Sequence, residues 1–234
     1  MKKLREILGI ATPLVLAASG CAPTTTTPGG STTTTTIEPG TVVAIAVGDS
    51  QAGGSNDPAR GLPWSERLGP KVFNGTPNNH GGGYVVPGTF TGRNMADQIV
   101  FAKGQVPDAQ YVIIMAGTND VAIHPAEEIE TKINLADAVS TANGMSARIA
   151  LIIPSNSISY TQAFEAKRNE VNNFIQAAYG DRAINCNPVL DVDGDSKLDQ
   201  DKTLNDGGGF HLNDLGEAEF SACLINAVGP ELGL

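Results

Sequence analysis

The sequence predicts an α/β fold, a three-layer α/β/α domain around a parallel sheet. Two observations lead there. Short β-branched runs, bounded by glycine or polar residues, read as strands covered on both faces. Segments of helical periodicity fill the gaps between them, and alternating strands and helices build parallel sheets.

The first strand is the apolar run at residues 41–47, which ends at Gly48-Asp49-Ser50. A short strand is expected at residues 84–86, and a helix at residues 94–102. Tyr111–Met115 is the next strand. Residues 126–143 form a helix with Ile129, Ile133, Leu135 and Val139 on one face. Its first turns carry Glu127, Glu128 and Glu130, where the helix dipole favours acids. A strand at 149–153 is followed by a helix at 159–179 that turns Phe164, Val171 and Ile175 inward. The last strand is Ala183–Ile184, and the last helix spans 214–228 with Asp214 as its N-cap. The loops at 51–63 and 74–83, rich in glycine and asparagine, fall at the C-terminal edge of the sheet.

The domain is preceded by two segments of another kind. Lys2, Lys3 and Arg5 lead into an apolar stretch from Ile7 to Ala18, and small residues then lead to Cys21. That is the pattern of a secretory signal over residues 1–20, too short for a permanent membrane span. The segment 16–21 resembles the lipobox of bacterial lipoproteins, with Ala18 where leucine is usual. The resemblance implies that Cys21 is lipidated and becomes the first mature residue; the alternative is ordinary secretory cleavage. Residues 21–40, rich in Thr, Pro and Gly, have too little apolar content to offset their ordering entropy and read as a disordered tether. The protein is thus expected to be exported and held at a membrane through Cys21 alone. The remaining residues, 41–234, form one domain of ordinary size, expected to be a monomer.

The net charge is −10, and removing residues 1–20 takes away three Lys/Arg and one Glu, leaving −12. Such a surface argues against nucleic acid or anionic lipid as the main partner. Of the three cysteines, Cys186 follows a strand and Cys223 lies in the last helix. They are either a disulfide or two buried thiols.

Four segments carry the parts of a serine ester hydrolase, which needs a nucleophile, a base and donors for the oxyanion. Ser50 sits just past a strand, where open α/β sheets place their ligands. Gly92 offers a backbone N–H near a helix start, Asn119 a side-chain amide after a strand, and His211 an imidazole before the last helix. Gly48-Asp49-Ser50, Gly92, Gly117-Thr118-Asn119-Asp120 and His211 together resemble, in order, the four blocks of the SGNH hydrolase (GDSL esterase/lipase) superfamily. The resemblance implies a flavodoxin-like five-stranded parallel sheet and a Ser50 nucleophile with a His211 base. It also implies an oxyanion hole from the Ser50 N–H, the Gly92 N–H and the Asn119 side chain, with no cofactor required. The glycines at 88 and 92 are spaced differently from the family's block. Where the family places an Asp three residues before the His, this chain has Gly208, and the nearest upstream acid is Asp206. Either Asp206 orients His211 across the intervening glycines, or a Ser-His dyad operates.

The expected substrate is an acyl ester, acetyl or another short chain, for instance on a glycan. The alternatives are a lipase or lysophospholipase acting on longer chains, and an inactive binding lipoprotein on the same fold. Of the other histidines, His124 is expected at the surface and His80 in a flexible loop near the site. A second site is expected in the loop at 191–199, where Asp191, Asp193, Asp195 and Asp199 hold positions 1, 3, 5 and 9. This spacing resembles the calcium loops of EF-hand, dockerin and FG-GAP repeats, with Ser196 replacing the EF-hand glycine and Lys202 its closing Glu.

Overall fold

The computed structural model describes residues 42–53, 59, 61–76, 83–85, 94–157, 161–205 and 209–234. The segments expected to be a signal and a tether, residues 1–40, therefore lie outside the described residues. In chain order the elements are β1 (Ala44–Gly48), α1 (Trp64–Arg67), β2 (Val72–Asn74), α2 (Met95–Gln105), β3 (Tyr111–Met115), α3 (Thr118–Ile123) and α4 (Ala126–Ala142). Then come β4 (Ser146–Ala150), α5 (Gln162–Tyr179), β5 (Ala183–Ile184), α6 (Asn187–Leu190) and α7 (Asp214–Leu232).

The five strands form one parallel sheet in the order β2-β1-β3-β4-β5, the flavodoxin-like arrangement. The chain winds from β1 outward to β2, then returns past β1 to β3. The winding therefore reverses between β1 and β3, and open α/β sheets bind their ligands at the C-terminal ends of the strands at such a point.

Successive strand residues face opposite sides, so each run feeds two cores. Ile45, Val47, Val112, Ile114 and Ile149 pack with Met95, Ile99, Ile129, Ile133, Val171 and Ile175 from α2, α4 and α5. Ala44, Ala46, Ile113, Met115 and Ile184 pack on the other face with Trp64, Leu190, Phe220 and Leu224 from α1, α6 and α7. Every residue of β1 is buried. That double coverage explains why the central strands read as continuous apolar runs.

The departures from expectation have local causes. Tyr84 and Val85 are not a strand, because their N–H groups go to the Asp120 carboxylate at 2.6 and 3.1 Å. The edge strand is β2 instead. The fourth strand pairs over Ser146–Ala150 rather than 149–153. Leu135 is 42 % exposed, since it lies two residues from Ile133 and so on the opposite side of α4; Ala136 and Ser140 take the buried positions. Helix α2 extends to Gln105, with the Asn94 side chain accepting from the Asp97 N–H. Such a cap contributes about 1 kcal/mol. Helix α5 begins at Gln162 with Thr161 as its cap. The cap of α7 is Asn213, which accepts from the Gly216 N–H, so Asp214 moves into the first turn and pairs with Arg67. Cys186 and Cys223 are joined in a disulfide, which fastens the segment after β5 to α7. Among the described residues, no helix is long and apolar enough to cross a membrane.

Candidate active site

The turn that carries Ser50 is built where β1 runs against β3. Gly48 pairs in register with Met115. A Cβ at Gly48 would lie 2.3 Å from the Met115 carbonyl oxygen, so only glycine lets the chain leave the sheet this close to its neighbour. Asp49 is fully buried and ties the turn to itself: its Oδ1 accepts from the Gln51 N–H at 3.0 Å. Its carbonyl accepts from Ala52 and Gly53 at 3.1 and 3.3 Å. From α1, the Ser65 hydroxyl donates to the Ala52 carbonyl at 2.8 Å. Helix α1 is itself fixed by the buried Glu217 of α7, which accepts from the Trp64 N–H at 2.8 Å. Ser50 is the half-buried corner of this turn.

His211 arrives from the far end of the chain. Residues 202–204 and 211–213 run side by side, with Leu204 N–H donating to His211 C=O at 2.8 Å and Asn213 N–H to Lys202 C=O at 2.9 Å. Thr203 and Leu212 form an antiparallel bridge. The Phe210 ring meets the imidazole edge-on at 4.6 Å between centroids. The structure brings His211 Nε2 to 3.0 Å from Ser50 Oγ. A hydroxyl and an imidazole at that distance are the parts of a nucleophile and its general base.

Asn119 follows the neighbouring strand, β3. β3 ends at Met115, and Gly117, with φ of 115°, turns the chain into α3. Asn119 lies half-buried in the first turn of α3. Ser50 and Asn119 thus follow the two strands between which the winding reverses. Helix α3 is only six residues long and is held from both ends. Asp120 grips the Tyr84 and Val85 amides, and Lys167 of α5 donates to the carbonyls of Val121 and His124 at 2.9 and 2.8 Å. Burial first, and the Asp120 charge second, push the Tyr84 phenol well above its ordinary range, so it stays neutral.

Gly92, Asp206 and His80 lie outside the described residues. His124 is the C-cap of α3, and its Nδ1 lies 3.0 Å from Glu128 Oε2. In the acidic loop, Asp191, Asp193 and Asp195 each bring one carboxylate oxygen within 4.8 Å of the others. Ser196, at the position of the EF-hand glycine, adopts a left-handed φ of 68° and donates its N–H to Asp191 Oδ2 at 3.0 Å. Asp199 does not join them as an unpaired acid: Lys202 Nζ holds it at 2.9 Å. The hydrogen bond from Lys202 is the main reason its carboxyl sits below the usual range.

Residues 46–218 match the profile of the GDSL-like lipase/acylhydrolase family. Among curated proteins, none matches the chain. Several solved structures share the fold. A carbohydrate acetylesterase from Sinorhizobium meliloti aligns with a TM-score of 0.56 at 16% identity, over 81% of this chain and 99% of that one. A carbohydrate esterase of family 3 from Talaromyces cellulolyticus gives 0.54 at 15%, over 82% and 98%. A lipase/acylhydrolase from Enterococcus faecalis gives 0.58 at 14%, over 81% and 96%.

Proposed function

Since the chain belongs to the GDSL-like lipase/acylhydrolase family, we propose that it is a serine ester hydrolase working through an acyl-enzyme on Ser50. The observation that carries this reading is the 3.0 Å contact between Ser50 Oγ and His211 Nε2 at the reversal point of the sheet. Ser50 Oγ attacks the ester carbonyl carbon while His211 Nε2 takes the hydroxyl proton. The tetrahedral oxyanion rests on the Ser50 N–H, the Gly92 N–H and the Asn119 side-chain amide. As it collapses, His211 returns the proton to the leaving alcohol. Water then attacks the acyl-enzyme with His211 again as base, releasing the acid and restoring Ser50. Because Nε2 faces the serine, Nδ1 needs an acceptor to fix the tautomer, and Asp206 is the residue assigned to it.

The substrate in this reading is a short acyl ester, acetyl above all, on an extracellular glycan. Support comes from the N-terminal pattern, which reads as an export signal and a tether on a lipidated Cys21, and from solved structures of the same fold described as a carbohydrate acetylesterase and a carbohydrate esterase of family 3. The protein acts as a monomer, with neither nucleic acid nor a required cofactor. A calcium ion in the 191–195 turn would serve structure, by stiffening the segment that leads to His211.

A fluorophosphonate probe tests the nucleophile. Covalent mass on Ser50, absent in Ser50→Ala, is expected; an unlabelled wild type would leave the fold as an inactive binding protein. Comparing nitrophenyl acetate, nitrophenyl octanoate and acetylated xylan tests the substrate. Preference for octanoate would move the reading to lipase or lysophospholipase.

A further inference from the structure

The loop that carries His211 is extended, and an extended segment presents hydrogen-bonding groups on two edges. The carbonyl of residue 211 and the N–H of residue 213 point to one side. The carbonyl of residue 210 and the N–H of residue 212 point to the other. The first edge is satisfied by the backbone of residues 202–204. On the second edge, a side chain takes the place of a strand. The Gln51 amide donates through Nε2 to the Phe210 carbonyl and accepts through Oε1 from the Leu212 N–H at 3.3 Å. One planar amide thereby reproduces a strand's pair of backbone bonds on both sides of His211.

Gln51 is buried, 1 % exposed, and it is the residue after Ser50. Its own N–H is held by Asp49 Oδ1 at 3.0 Å. The base loop is therefore fastened to the nucleophile turn itself. We infer that Gln51 is a positioning residue that sets the distance between Ser50 and His211 by clamping the backbone on either side of the imidazole. It touches no substrate in this role. The inference rests on the ester hydrolase reading for its kinetic consequence and on the hydrogen-bond geometry for its structural one.

The test uses Gln51→Met, which keeps length and volume and removes both hydrogen bonds, beside Gln51→Ala and the wild type. Four quantities are measured: kcat and KM on nitrophenyl acetate, the melting temperature, and the imidazole resonances of His211, one of three histidines in the chain. A misplaced base lowers kcat by about 10- to 100-fold with KM within about twofold. The His211 resonances shift or broaden, and the loss persists at temperatures far below the melting point of the variant. A kcat within about twofold of wild type, with His211 resonances unmoved, overturns the inference. A loss of kcat that vanishes on cooling also overturns it, because that marks a fold defect only. A wild type that neither turns over ester nor takes the fluorophosphonate sinks the hydrolase reading instead. In that event the His211 resonances of Gln51→Met alone decide: moved, the clamp stands; unmoved, it falls.

Discussion

Reducing the Cys186–Cys223 bond is expected to lower the melting temperature sharply, and the size follows from the chain. The two residues are 37 apart in sequence, with Cα atoms 5.8 Å apart. Closing a loop of that length removes about 13 cal/mol/K from the unfolded ensemble, about 4 kcal/mol at room temperature. For a domain of this size, each kcal/mol moves the midpoint by about 2–4 °C, so reduction should cost about 8–15 °C. Comparing oxidised with reduced protein, rather than with a cysteine mutant, keeps every side chain and isolates the crosslink. The assay is a thermal melt with and without a phosphine reductant, with reduction verified by a gain of about 2 Da. Cys186 is buried and Cys223 half-buried, so reduction proceeds through Cys223 or needs mild warming. A reduced protein, verified by mass, that melts within about 2 °C of the oxidised form would refute the loop-entropy argument.

Lys202, with a side chain 5% exposed, binds Asp199 and Glu219. Its hydrogen bond to Asp199 is the main cause that holds that carboxyl below the ordinary 3.8, so that contribution is complete above pH 3.8 and lost as pH falls through the lower folded value. Burial lowers the Lys202 ammonium, yet the bonds to Asp199 and Glu219 outweigh it and raise it above 10.5. That contribution is complete below pH 10.5 and disappears as pH rises through the folded value. Lys202→Met should therefore melt lower at neutral pH and lose less on acidification than the wild type; parallel pH curves would contradict this. Chelation by EDTA should lower the melting temperature and added calcium restore it, an outcome sunk by superimposable melts at low salt. Asp206→Asn should reduce kcat by orders of magnitude with the fold intact, and a change below about tenfold would remove Asp206 from its assigned role.

The central strands were legible because β1 and β3 are covered on both faces and so appear as unbroken apolar runs. β2 was not, because three residues at a sheet edge carry no periodicity to read. The strand expected at 84–86 failed for a different reason. Tyr84 and Val85 have strand-forming side chains, but the Asp120 carboxylate, distant in sequence, takes their amides. Leu135 looked like part of an inward stripe, though 3.6-residue geometry puts it opposite Ile133. At the site, the order of Gly-Asp-Ser, Gly-Thr-Asn-Asp and His was visible in the chain, and the structure brings Ser50 and His211 into contact. The grip of Gln51 on both sides of His211 was not readable, because it is made to backbone atoms and leaves no pattern of residue types.

Ser50 and His211 are separated by 161 positions. One follows the first strand and the other lies just before the last helix, so no early fragment of the chain contains both halves of the pair. In the mechanism proposed above, a polypeptide still emerging from the ribosome, or held extended by a chaperone, has nothing with which to attack an ester. On that mechanism, competence waits until the segment carrying His211 docks against the Ser50 turn. Recovery of turnover during refolding would then time the last long-range closure of the molecule, whereas helix signals would rise earlier from local contacts. The order of the chain thus acts as a clock as well as a scaffold.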